Sequence, residues 1–238
     1  MNYSELQNGG AQVSASTAST FISRVFTYMT GGLAITGALA YWFGTTPELI
    51  GMMIGESGMN MLGYIVMFAP LGLVLLMAGR LNKMSAMALT SLFVVYAAIM
   101  GISLSFIFLA YTASTIYTTF LITAGTFGTM ALVGYTTKTD LSKMGSILYM
   151  ALFGIIIASI VNFFMGSSTL DYIISLGGVA IFTGLTAYDM QKIKGMSQTL
   201  NADDEQGAKM AIMGALSLYL DFVNLFLFLL RLFGGSRD

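Results

Sequence analysis

Long apolar blocks alternate with short polar connections along most of this chain. Seven such blocks, at about 24–43, 59–79, 86–110, 113–135, 145–165, 172–190 and 211–233, each approach the ~20 residues an α-helix needs to cross a bilayer core. Helices are expected because lipid offers no water to unpaired backbone groups. The pattern therefore predicts an all-α polytopic membrane protein with seven transmembrane helices. Only Tyr111 and Thr112 separate the third and fourth blocks, which leaves room for a tight helical hairpin. Residues 1–22 are different in kind. They are polar and small, with a Ser, Ala and Thr run from Ser14 to Thr20, and no positive stretch precedes a cleavable apolar core. A disordered tail is expected there, ahead of a single transmembrane domain over 23–238.

The last block carries the most specific pattern. Ser217, Asp221, Asn224, Phe228 and Arg231 are spaced by four, three, four and three, which stacks them on one face of an α-helix. A polar stripe amid Leu, Phe and Val must turn away from lipid, so the seventh helix is expected at the centre of the bundle. The sixth block ends in GLTAYDMQKIK, which contains Asp189. An ionised carboxylate costs roughly 2.5–3.5 kcal/mol at the centre of a membrane helix and usually persists only beside a partner or a wet cavity. Asp189 and Asp221 are therefore the first candidates for function. The plain alternatives are a hydrogen-bonded seam for the stripe and a rim salt bridge from Asp189 to Lys192 or Lys194. Depth is an obstacle to pairing, since Asp221 lies ten residues after Ala211, or ~15 Å along a helix. It eases if the helix begins early, with Asp203, Asp204 and Glu205 at the positive end of its dipole.

Smaller signals concern packing. Gly31, Gly32, Gly37, Gly125, Gly128, Gly177, Gly178 and Gly184 are read as points of close helix approach. Asn162, inside the fifth block, is expected to need partners from outside its helix.

Composition narrows the chemistry. The chain is 56% hydrophobic and 9% charged, with a mean hydropathy of +0.81, which is outside the range of soluble domains. It has no cysteine and no histidine, so disulfides, thiolate metal sites and imidazole chemistry are excluded and proton or metal chemistry must use carboxylates. A net charge of −1 provides no basic stripe for nucleic acid. Arg24, Arg80, Lys83, Lys138, Lys143, Lys192, Lys194 and Lys209 all fall in connections on one side of the seven-span scheme, and Glu48, Glu56 and Asp171 fall on the other. The charge rule then predicts a cytoplasmic N-terminus. Arg231 and Arg237 dissent, and a final helix that crosses only halfway would return them to the cytoplasm.

The segments GYTTKTDLSKMGSILYMALFGIIIASIVNFF from Gly134, GLTAYDMQKIK from Gly184 and ALSLYLDFVNLFLFLLRLFG from Ala215 resemble the Bax inhibitor-1 family, in its bacterial, YccA-like branch. The resemblance extends over the chain after the tail. It implies a fold in which the seventh helix is encircled by the other six, and an inner membrane location. It also implies a pH-sensitive calcium leak in which Asp189 and Asp221 share a proton and act as sensor, with Arg80 as a latch on Asp189 in the closed form. Where relatives carry an acidic residue within the second helix, this chain has Ala69 and Pro70.

Elementary electrostatics agrees with that role. Two carboxylates close together in a poorly solvated site do not both ionise cheaply, so they retain one proton between them and titrate as a unit. Calcium prefers six to eight oxygen ligands, and Ser217 and Asn224 can add to the two carboxylates for a transient visit. Two other classes compete. A regulator that binds membrane proteases or cell-death factors is compatible with the resemblance, with the loop from Gly195 to Gln206 and the tail as its exposed surface. An intramembrane aspartyl protease fits Tyr188–Asp189, but Asp221 follows LYL where such enzymes need a glycine-flanked aspartate, so no enzymatic activity is expected.

Overall fold

The computed structural model describes residues 3–55 and 58–234, with side chains from Ser16 onward. Glu56 and Arg237 lie outside the described residues. The chain divides into two compact units, Met1–Ala110 with Lys194–Leu216, and Tyr111–Ile193 with Ser217–Asp238.

The first unit contains α1 (Tyr3–Thr45), α2 (Pro47–Gly51), the short antiparallel pair β1 (Ile54–Gly55) and β2 (Gly58–Met59), α3 (Met61–Arg80), α4 (Ala86–Leu104) and α5 (Ile107–Ala110). Asn60 and Ser85 cap α3 and α4 by accepting from Gly63 N and Ala88 N, which satisfies amides that have no partner in the first turn. α1 packs on α4. A Cβ at Gly101 would come within 2.6 Å of the Thr36 carbonyl oxygen, and the Thr36 hydroxyl donates to Ala97 O at 2.8 Å. The helix extends back through the segment read as a tail. No proline interrupts residues 3–45, and Phe21 and Val25 are completely buried, so apolar contact holds the helix ahead of residue 23.

The loop between the last two long helices is fastened to this unit. Arg24 donates to Ala202 O and pairs with Asp203. Ala86 N, at the start of α4, donates to Glu205 Oε1 at 2.8 Å.

The second unit contains α6 (Ala113–Thr136), α7 (Ser142–Met165) and most of α8 (Ser168–Ser197) and α9 (Glu205–Phe233). Thr112 caps α6 by accepting from Thr115 N, so the two residues between the third and fourth blocks do separate two helices. Gly166 ends α7 at φ 64°, the left-handed conformation that glycine adopts without strain. Asn162 Oδ1 accepts from Ser167 N just beyond. Its partner is thus the turn after its own helix, not a neighbouring helix, because it sits within one turn of the helix end. Gln191 ties α8 to the loop before α7, accepting from Leu141 N and donating to Thr139 O, both at 2.8 Å. In that loop, hydrogen bonds from Ser142 hold the Asp140 carboxyl below its ordinary range.

Burial separates the helices. Within α7 only Gly145 is buried, and Phe163 and Phe164 are 83% and 81% exposed, as expected of a surface solvated by lipid. α9 is the opposite, with Ala211, Ala215, Leu218, Tyr219, Leu225 and Leu230 almost fully buried, so the last helix is interior. Six described helices are long and apolar enough to cross a membrane, α5 being counted with α4. The block at 24–43 lies in α1 and is not among them, since Thr, Gly and Tyr dilute it. The fold is an all-α polytopic membrane protein. Seven spans was the expectation, and six helices meet the criterion.

Candidate functional site

α8 and α9 run antiparallel in the second unit. Arg231 pairs with Asp171 at 3.9 Å, and Phe228 stacks on Phe182 with ring centroids 5.9 Å apart. Gly178 permits this approach, since a Cβ there would lie 2.5 Å from the Phe228 ring. Two turns on from Phe182 is Asp189, and two turns back from Phe228 is Asp221. At 3.6 residues per turn the two carboxylates therefore come level on the facing sides of the two helices. The early start of α9 at Glu205 removes the depth obstacle.

Both carboxylates line one cavity of about 450 Å³ formed by α7, α8 and α9. Asp189 is 4% exposed and Asp221 5%. Asp221 Oδ2 is buried with no hydrogen-bond partner among the described residues. None of the described ion pairs includes either aspartate, although the Lys192 charge acts on Asp189 from beyond contact distance. Ser217 and Asn224 line the same cavity, which places the polar stripe of α9 where its spacing requires. The Asn224 amide donates to Leu220 O at 2.8 Å and so is satisfied within its own helix.

Two expected residues are not among those that line the cavity. Arg231 is exposed at the end of α9, where it meets Asp171 and lies 5.7 Å from the Phe228 ring centre. That pairing joins it to the start of α8, opposite the end that carries Lys192 and Lys194. Arg80 belongs to the first unit, ends α3 and is exposed.

A third side chain enters from α7. Tyr149 Oη donates to Asp189 Oδ1 at 3.4 Å, at the long end of hydrogen-bond geometry. Its ring meets Tyr188 edge-on at 6.1 Å. Sequence reasoning missed Tyr149, because a tyrosine in an apolar block carries no signal until the register between α7 and α8 is known.

Residues 18–238 match the family profile described as "Inhibitor of apoptosis-promoting Bax1". The chain belongs to the Bax inhibitor-1 family. It is 44% identical over 219 residues to the inner membrane protein YbhL of Escherichia coli strain K12, covering 92% of each chain. It is 48% identical over 218 residues to an uncharacterized protein of Borreliella burgdorferi, covering 92% of this chain and 93% of that one. A Lactococcus lactis protein, YrjE, is 43% identical over 223 residues, with 92% and 93% covered. Family membership and the apolar helices together make this an integral membrane protein.

Proposed function

We propose that this Bax inhibitor-1 family protein is a pH-sensitive calcium leak channel of a bacterial inner membrane, with its N-terminus cytoplasmic and Asp189 and Asp221 as its proton sensor. One observation carries the reading: two buried carboxylates face a single cavity, and neither forms an ion pair among the described residues, Lys192 acting on Asp189 only from beyond contact distance. Sharing one proton, the pair carries a single negative charge and bonds internally, which weakens its pull on a cation. Losing it, the two groups repel until a cation arrives. Calcium is the permeant substrate. Among the described residues no three or more His, Cys, Asp or Glu side chains are placed to hold a metal ion together, so the two carboxylates with Ser217 and Asn224 fall short of a full oxygen shell. That suits passage, which needs weak binding. Arg80 is assigned, from the family resemblance, as the latch that meets Asp189 in the closed form.

Calcium flux into proteoliposomes across a pH series tests the reading. Asp221→Asn and Asp189→Asn are expected to reduce the change in flux with pH by roughly fivefold or more, the scale of ordinary coupling between sites. A pH response unchanged in both variants would reject the sensor. The family description mentions Bax1, but no surface feature among the described residues favours a protein partner over the cavity.

A further inference from the structure

The cavity has a shape that small-ion binding leaves unused. Tyr149, Leu152, Ile155, Ile156, Ser159 and Ile160 line it from α7, so it extends over twelve residues, or a rise of ~16 Å, of that helix. Tyr149, Asp189 and Asp221 gather at one end. The other end is Ile156 and Ile160 with Phe182 and Phe228. Ile156 and Ile160 are 46% and 57% exposed, so the groove is continuous with the outer face of α7, the face that lipid solvates. Its volume of about 450 Å³ is within the roughly 300–1,000 Å³ of small-molecule sites, which are mostly apolar with a few converging polar groups.

We propose that this groove binds a single-chain lipophilic ammonium from the bilayer. The ammonium would sit between Asp189 and Asp221, with the alkyl chain along Ile155, Ile156, Ile160 and Phe182. The charge distribution selects this class. Two carboxylates that form no ion pair among the described residues, one with a buried oxygen that accepts no hydrogen bond there, suit a cation with hydrogen-bond donors, the Lys192 charge reaching Asp189 only from beyond contact distance. The remaining walls reward an apolar tail. A fatty acid would bring a third carboxyl to the same end. A phosphatidylethanolamine carries its phosphate beside the ammonium and needs room for a second chain. The proposal does not depend on the cavity conducting calcium, because it is tested by binding.

The test uses the full chain in phosphatidylcholine nanodiscs, with empty nanodiscs subtracted, and titrates octylammonium, octanol, octanoate and methylammonium. Saturable binding of octylammonium is expected, with octanol, octanoate and methylammonium each weaker by roughly tenfold or more, since both a charge-assisted bond and the apolar tail are needed. Asp189→Asn with Asp221→Asn should abolish the preference of octylammonium over octanol. Ile156→Trp, which fills the tail end and leaves both carboxylates, should weaken octylammonium and spare methylammonium, so the proposal stays testable if the double variant folds poorly. Octanol binding as tightly as octylammonium, an unchanged affinity in Ile156→Trp, or no signal above empty nanodiscs would overturn it. So would loss of octylammonium binding in phosphatidylethanolamine nanodiscs, which would give the groove to the phospholipid.

Discussion

Asp221 carries a cost in stability. Its Oδ2 is buried and accepts no hydrogen bond among the described residues, and an unsatisfied polar group of this kind costs about 1–3 kcal/mol. Asp221→Leu is therefore expected to stabilise the fold by about 1–3 kcal/mol in detergent thermal unfolding, because it exchanges that group for an apolar one against largely apolar walls. A lower melting temperature in Asp221→Leu would show that the carboxylate is satisfied in the folded protein. The two aspartates were legible in the sequence because charge is rare in apolar blocks and each instance demands a reason. Tyr149 was not legible. Asn162 does take its partner from outside its helix, but that this partner is the following turn depends on where the helix ends, and Gly166 sets that end.

Glycines separate pattern from packing at the scale of the element. Gly178 faces the Phe228 ring and Gly184 faces Leu148, but Gly31, Gly37, Gly125 and Gly128 have nothing within 4 Å of a Cβ. Small residues permit close approach, and whether a neighbour makes use of it depends on which face the helix turns to lipid. Gly178→Ala is expected to destabilise by up to about 2 kcal/mol, since overpacking costs ~1–3 kcal/mol against ~1 kcal/mol gained in helix propensity. Gly154→Ala on α7, with open space around it, should be neutral or mildly stabilising. Equal melting temperatures for the two variants would contradict this view of the α8–α9 contact. α1 teaches a related lesson: composition marked residues 1–22 as unstructured, and α1 begins at Tyr3.

Orientation belongs to the whole molecule. The distribution of Lys and Arg predicts that the loop with Lys138 is cytoplasmic and the turn near Asp171 lies outside, and α7 connects the two. The chain has no cysteine, so single introduced thiols report without background. In intact cells an impermeant maleimide should label Thr169→Cys and leave Lys138→Cys unlabelled, both native side chains being exposed. The reverse pattern would invert the topology. The Arg231–Asp171 pair already answers the dissent of Arg231, because α9 extends the full distance to the start of α8.

Composition and block length were enough to establish an all-helical membrane protein, and the four-three spacing was enough to align Ser217, Asp221 and Asn224 on one face. These are properties of one helix in lipid, governed by backbone geometry and transfer free energy, so they can be read locally. Tertiary structure alone decided the rest: the antiparallel register that brings Asp189 level with Asp221, the entry of Tyr149, and the apolar groove extending from the carboxylates to the face of α7. Each depends on how side chains of different helices interlock, and close packing between distant segments leaves no mark at any single position in the chain.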